Sequence, residues 1–184
     1  MSTAQSIFAP LSVDSAPEAS RDALKAAQQK YGFIPKILGV MAHAPATLDA
    51  YMTLGSILEK STFSPKEQQL ILLAASVENE CRYCTAAHAT ALKSMLKADA
   101  ETVAAVREDR KLSDAKQDVL VKTVREIVRE RGHVSDSTVK GFTDAGYSQP
   151  QLLELLVGVA MKTLSNYLDH ITPVEVDEAF AAEK

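Results

Sequence analysis

Hydrophobic residues recur every three to four positions along most of the chain, which is the spacing of amphipathic helices. Helix starts and stops accompany this pattern: Ser64, Pro65 and Glu67 form a capping-box start, while Gly132 and Gly146 follow two of the periodic segments. Helices are predicted over residues 18–30, from near Pro45, after Ser64, from Glu80 or Cys81 to about Lys97, in a short stretch after Asp99, and over 114–131, 135–145 and 150–170. The pattern therefore predicts an all-α fold, a helical bundle.

Composition agrees with this interpretation. Seven glycines and seven prolines in 184 residues provide little turn chemistry for a sheet protein. The length is that of a single domain, 1–184, with a core over about 18–172 and terminal extensions at 1–17 and 173–184. The tail after Pro173 is expected to be loosely packed or to lie across a partner subunit.

A weak internal echo relates two apolar segments. Leu70 through His88 resembles Leu152 through His170 at a constant offset of 82 residues. The match consists mostly of apolar residues at helical spacing, but it suggests a duplicated helical unit in which only the first copy carries thiols.

The net charge of the chain bears on which kinds of molecule it can bind. A formal net charge of −4 leaves no basic face for nucleic acid, so no nucleic-acid partner is expected. The N-terminal residues lack the features of a secretion signal, and the most apolar later segment, 152–164, contains Glu154 and Lys162. We therefore expect a cytoplasmic protein without a membrane partner.

The chain contains two cysteines, Cys81 and Cys84, three positions apart. A pair this close points to redox or metal chemistry, because it does not form a disulfide framework. On a helix, Cys81, Cys84 and His88 would share one face within roughly 60°. His88 is placed to contact Cys84, whereas the amides and dipole of the helix start favour a thiolate at Cys81. The sequence leaves open which thiol is the attacking one.

Two further interpretations compete with redox chemistry. The cysteines are also suited to packing as small buried hydrophobes, or to a zinc site with His88 as the third ligand. A structural zinc site usually has a fourth ligand, and the remaining histidines are scattered. A second thiol one turn away would instead resolve an oxidised first thiol into a disulfide. Redox chemistry is therefore favoured, with no metal and no cofactor.

These residues resemble those of the AhpD-like, carboxymuconolactone decarboxylase-type proteins, whose redox members carry a glutamate, a CxxC pair and a histidine. The resemblance covers about residues 30–172 and includes the segment 63–67, Asn79, Tyr83 and the end of the last helix. It implies an AhpD-like all-α bundle that forms homo-oligomers (dimer, trimer or hexamer). It also implies an antioxidant alkylhydroperoxidase or disulfide reductase that works through a redox-active Cys81–Cys84 disulfide, with His88 as proton relay. The electron acceptor would be a hydroperoxide or an oxidised partner protein, and the donor a thioredoxin-like or lipoyl-bearing protein.

The sequence does not identify clearly which residue serves as the glutamate of the family's proton relay. Gln69 occupies the position where family members often have their acid, so Glu67 is the candidate for a general base. Glu67 has an equally good structural explanation as the third residue of the Ser64 capping box. Tyr83, which is suited either to packing or to steering a peroxide, and His170, which is suited either to a helix C-terminus or to the duplicated unit, are further candidates.

Two other functions stay open from the sequence. The family name suggests a decarboxylase acting on a small lactone or carboxylate, which would have no use for paired thiols. A non-catalytic oligomeric scaffold or sensor would tolerate the loss of both cysteines.

Overall fold

The computed structural model describes residues 8–184, and all its regular elements are helical. Nine α-helices are described, with a π-helical turn over Ala91–Met95 and a 3₁₀ helix over Glu178–Glu183: α1 Glu18–Tyr31, α2 Lys36–Met41, α3 Pro45–Glu59, α4 Pro65–Glu78, α5 Arg82–Thr90, α6 Ala100–Arg107, α7 Ala115–Arg129, α8 Asp136–Asp144 and α9 Gln149–Ile171. The all-α prediction is confirmed, with no strand in residues 8–184. The first seven residues of the expected N-terminal extension lie outside the described residues, and the internal duplication stays a prediction.

Helix α4 forms the centre of the bundle and packs against α3, α5, α7 and α9. Its residues 70–76 are all buried, which explains why the apolar run there shows no polar side. Helix α9 approaches α4 closely at Gly158, where a Cβ atom would lie 2.7 Å from Cγ2 of Ile71. The absence of a side chain at Gly158 therefore allows α9 to pack against α4.

The predicted helix boundaries follow the capping chemistry. Ser64 and Glu67 form the expected capping box, and Asp99 caps α6. Gly132 and Gly146, which follow α7 and α8, adopt φ of +88° and +89°, a left-handed conformation that favours glycine. Three elements were not predicted: the six-residue α2, which is too short to show a periodicity, the π-helical turn, where a continuous α-helix was expected, and the 3₁₀ helix of the tail.

The C-terminal tail corrects the expectation of loose packing. Residues 173–184 pack against α5 of the same chain, where the 3₁₀ helix lies. The carboxylate of Asp177 accepts hydrogen bonds from the Tyr83 hydroxyl and from the Lys36 backbone amide. Because Asp177 is buried, these bonds fix the tail against the helix that follows the first cysteine.

The end of the tail is held by charge. Glu183 is buried and forms ion pairs with Lys93, at 2.6 Å, and Arg107, at 3.3 Å. Lys93 belongs to the π-helical turn beside α5, and Arg107 belongs to α6. The tail therefore forms part of the wall around the cysteines.

The apolar interior divides into a large cluster centred on α4 and α7 and a second cluster beside it. The second cluster contains Cys81, Tyr83 and Cys84, packed against residues of α1, α2 and α3. The thiols thus lie in a water-poor environment that strengthens nearby electrostatic interactions. No helix in the described part of the chain is both long and apolar enough to cross a lipid bilayer.

Candidate active site

The two cysteines lie at the start of α5, and both are buried. Cys81 is the N-cap residue, and its Sγ accepts a hydrogen bond from the backbone amide of Cys84 at 3.4 Å. The Cys81 thiol donates to Oδ2 of Asp169 on α9, at 3.3 Å. The helix start predicted at Glu80 or Cys81 lies within two residues of the observed one, since α5 begins at Arg82.

The two thiols differ strongly in acidity. A hydrogen bond from Cys81, the positive charge of Lys162 and a hydrogen bond with Ser165 outweigh burial and lower the pKa of Cys84 to about 6. The hydrogen bond with Cys84, burial and the charge of Asp169 raise the pKa of Cys81. The structure therefore favours a thiolate at Cys84, with Cys81 remaining a thiol at neutral pH.

His88 lies in the same site, but its ring nitrogens are used by other partners. Nδ1 is 3.0 Å from Oε1 of Gln69, and Nε2 is 2.8 Å from Nζ of Lys162. Since an ammonium group only donates hydrogen bonds, Nε2 is the acceptor and Nδ1 carries the proton, which it donates to Gln69. Burial and the adjacent Lys162 charge lower the pKa of His88 well below its usual value. The imidazole is therefore neutral, and the direct contact with Cys84 expected from the sequence is replaced by a contact with Lys162.

Lys162 is the cationic centre of this site and is 1% exposed. Burial alone would lower the pKa of Lys162, but interactions with Cys84, Tyr51 and Cys81 raise it. Its ammonium group also lies 5.5 Å from the centre of the Tyr51 ring. A buried lysine with these neighbours stays charged.

Helix α9 contributes site residues that the helical pattern alone does not predict. Lys162, Ser165, Asn166 and Asp169 are buried polar residues of α9, and the last three lie three, four and seven positions after Lys162. This spacing places them on one helical face. The signal in the sequence is this set of polar residues at helical spacing within a segment that is rich in apolar residues.

A cavity of about 430 Å³ opens beside Cys84. Its polar wall contains Cys84, His88, Gln69 and Lys162, and its apolar wall comes from α2, α3 and the π-helical turn, with Phe180 of the tail. Cys81 instead lines a separate pocket of about 340 Å³. The thiolate at Cys84 therefore faces a space of the size and polarity of a small-molecule site.

The remaining candidates lie further from this chemistry. Glu67 is occupied by Ser64 and by the Tyr147 hydroxyl, at 2.9 Å, and does not line the cavity. Tyr83 lines the cavity, but its hydroxyl donates to Asp177 of the tail. His170 is exposed and stacks on Tyr167. The structure thus brings Cys81, Cys84 and His88 together, and places Glu67 and His170 elsewhere.

The fold and part of the sequence match known proteins. The model of the carboxymuconolactone decarboxylase family matches residues 45–113. A comparison with curated proteins found no match. Among solved structures, an alkylhydroperoxidase AhpD core, an uncharacterised peroxidase-related protein from Ralstonia eutropha, superposes with a TM-score of 0.83 at 18% identity, covering 97% of this chain and 96% of the other.

Two further structures are similar over nearly the whole length. A peroxidase-related protein from Silicibacter sp. gives a TM-score of 0.81 at 18% identity, covering 100% of this chain and 99% of that one. A cysteine-to-alanine variant of the debrominase Bmp8 in complex with 2,3,4-tribromopyrrole gives 0.82 at 14%, covering 99% and 97%. Residues 45–113 therefore resemble the carboxymuconolactone decarboxylase family, and the chain has the AhpD-like fold over nearly its whole length.

Proposed function

We propose that the protein is a thiol-dependent peroxidase or disulfide reductase that cycles between a Cys81–Cys84 dithiol and its disulfide. One observation carries this proposal: an acidic thiol, Cys84, faces a cavity while a second thiol, Cys81, is hydrogen-bonded to its backbone amide. A thiolate is the nucleophile in this chemistry, and a neighbouring thiol resolves the first oxidation product.

With a hydroperoxide, the Cys84 thiolate attacks the terminal oxygen and the O–O bond breaks. The alkoxide that leaves takes a proton from Lys162, whose ammonium group lines the same cavity. The product is an alcohol, and Cys84 becomes a sulfenic acid. Cys81 then attacks the Cys84 sulfur and gives its proton to Asp169, its hydrogen-bond acceptor. The hydroxide displaced from Cys84 takes that proton from Asp169 and leaves as water, the disulfide forms, and Lys162 regains a proton from solvent.

His88 has a positioning role in this scheme. Its Nε2 accepts from Lys162, so the neutral ring holds the ammonium group in place and does not compete for protons. Gln69 fits this role, since a neutral amide accepts from Nδ1 without stabilising an imidazolium. In this scheme Gln69 replaces the family's usual acid, and Lys162 of α9 is the proton donor instead.

The Cys81–Cys84 disulfide must be reduced by another molecule, because the dithiol chemistry uses no bound nucleotide or metal as a source of electrons. The donor that fits is a thiol carrier of the thioredoxin-like or lipoyl-bearing type, and the physiological acceptor is a hydroperoxide or an oxidised partner protein.

We also propose that the protein forms a homo-oligomer through the outer face of α9. The outer face of α9 exposes four large apolar side chains: Leu153, Leu156, Tyr167 and Ile171. Apolar side chains aligned along one helix are typical of subunit interfaces. Light scattering of the wild type and of Leu156→Glu tests this part, and a monomeric wild type would contradict it.

The central test follows the two thiols directly. The reduced protein is mixed with one equivalent of cumene hydroperoxide, and the thiols are followed by alkylation and mass spectrometry. We expect a rapid intramolecular Cys81–Cys84 disulfide in the wild type and none in Cys84→Ser. Thiols that stay reduced, or that react no faster than free cysteine, would refute the proposal and favour a scaffold or a decarboxylase.

A further inference from the structure

The two cysteines open onto different sides of α5. Cys84 lines the 430 Å³ cavity, whereas Cys81 lines the 340 Å³ pocket together with Thr85, Arg107 and residues of the tail. Neither cysteine lines both spaces. Cys84 is therefore the thiol nearer to an oxidant in the cavity, and Cys81 is the thiol nearer to a molecule in the pocket, while both side chains are buried.

We infer that the pocket beside Cys81 is the binding site for the reducing thiol, so that oxidation and reduction of the pair use opposite sides of α5. This inference rests on the proposed function and adds where the electron donor binds.

The geometry of thiol–disulfide exchange supports this division. A thiolate attacks a disulfide sulfur from the side opposite the sulfur that leaves. For attack on Cys81, with Cys84 leaving, the incoming thiolate approaches from the side of Cys81 that faces away from Cys84. The 340 Å³ pocket is the space that Cys81 borders and Cys84 does not.

The acidity of the thiol that leaves during reduction also favours attack on Cys81. Attack at Cys81 expels Cys84 as a thiolate beside Lys162 and Ser165, which stabilise the negative charge. Attack at Cys84 would expel Cys81 next to the carboxylate of Asp169, which raises the pKa of Cys81. Because the more acidic thiol leaves faster, reduction through Cys81 is the faster route.

The bonds balance over two steps. The donor thiolate bonds to Cys81 while the Cys81–Cys84 bond breaks and Cys84 leaves as a thiolate. A second donor thiolate then attacks the donor sulfur of the mixed disulfide, which releases oxidised donor. Cys81 leaves and takes a proton from solvent. The pocket is bordered by Arg82, Arg107 and Lys184 and by two carboxylates, Glu80 and Glu183. Because Glu183 is already paired with Lys93 and Arg107, the positive charges of Arg82 and Lys184 attract an anionic thiolate and Glu80 opposes them.

A crossed pair of variants on α5 tests the inference. Thr85→Phe fills the pocket at Cys81, and Ala87→Phe narrows the cavity at Cys84. Thr53→Phe, at an exposed position of α3, is the matched control. The protein is oxidised with diamide, so the reductive step is measured even if hydroperoxides are not substrates. Its rate with reduced glutathione is followed separately from oxidation of the dithiol by cumene hydroperoxide.

We expect Thr85→Phe to slow reduction by about tenfold or more and to leave oxidation within about twofold of the wild type. Ala87→Phe should do the reverse. Reduction that is unaffected by Thr85→Phe but slowed by Ala87→Phe would overturn the inference.

A second measurement uses the wild type alone and does not depend on the folding of any variant. The reaction of the oxidised protein with glutathione is quenched early, and the mixed disulfide is located by alkylation and peptide mapping. Glutathione on Cys81 with alkylated Cys84 supports the inference, and glutathione on Cys84 overturns it. A failure of the hydroperoxide reaction alone would count against the proposed function and not against this site.

Discussion

Replacing Lys162 with methionine would keep a long side chain in the core while removing the positive charge beside Cys84. Lys162 is 1% exposed and contributes to the low pKa of Cys84 after the hydrogen bond from Cys81. The Lys162→Met variant therefore measures how far the buried cation, rather than the helix start, makes Cys84 acidic.

The size of the effect follows from the pKa of Cys84, about 6 against an ordinary 9.0. Because several contacts share this lowering, we assign Lys162 about one pKa unit or more, equivalent to about 1.4 kcal/mol. At pH 7 the ionised fraction of Cys84 then falls from about nine-tenths to about one half or less. The thiolate exists above the pKa and is lost as pH falls, so the midpoint of the titration moves to higher pH.

The assay is an ultraviolet titration of thiolate absorbance in a Cys81→Ser background, where the serine hydroxyl keeps a hydrogen-bond donor for Cys84. Lys122→Met, which removes a 62% exposed lysine of α7, serves as the control and should not shift the midpoint. Lys162→Arg keeps the charge and should stay closer to the wild type. An unchanged midpoint in Lys162→Met would refute the electrostatic role of this lysine.

Three further predictions concern the surroundings of the site. Glu67→Gln should lower the free energy of unfolding by about 1 kcal/mol, because it weakens the α4 cap and the hydrogen bond from Tyr147. It should not slow alkylation of the thiols. Slower alkylation in a folded variant would instead support Glu67 as a base. Gly158→Ala should cost about 1–3 kcal/mol in urea unfolding, because its Cβ meets Ile71, and an unchanged urea midpoint would contradict the close approach. Because the pKa of His88 lies well below its usual value, the free energy of unfolding should be constant above about pH 6.5 and should fall as pH decreases below it, where the unfolded chain binds a proton. The fall with pH should be less steep in His88→Leu. Equal slopes in the two proteins would contradict a neutral imidazole in the folded protein.

Local chemistry made much of this structure predictable. The Ser64 capping box, the glycine after α8 and the CxxC spacing each act over a few residues, so the sequence shows them directly. The partners of His88 are a different case, because Gln69 lies 19 positions away and Lys162 lies 74 positions away. Contacts of this range depend on how α9 packs against α4, which periodicity does not specify.

The tail shows the same limit. Residues 173–184 have weak helical signals, so the sequence suggested loose packing. Their order comes from Asp177 and Glu183, whose partners Tyr83, Lys93 and Arg107 belong to distant elements. Long-range ion pairs and hydrogen bonds outweigh weak local propensity here.

The low pKa of Cys84, to which the hydrogen bond from Cys81 and the buried charge of Lys162 both contribute, would also raise the reduction potential of a Cys81–Cys84 disulfide. A cation beside Cys84 stabilises the thiolate of the reduced form, whereas the uncharged disulfide gains nothing from it. At pH 7, a Cys84 pKa of about 6 in place of 9.0 favours the dithiol about tenfold, which raises the midpoint potential by roughly 30 mV. A given thiol donor would therefore reduce this disulfide about tenfold more favourably than a disulfide whose thiols have ordinary pKa values.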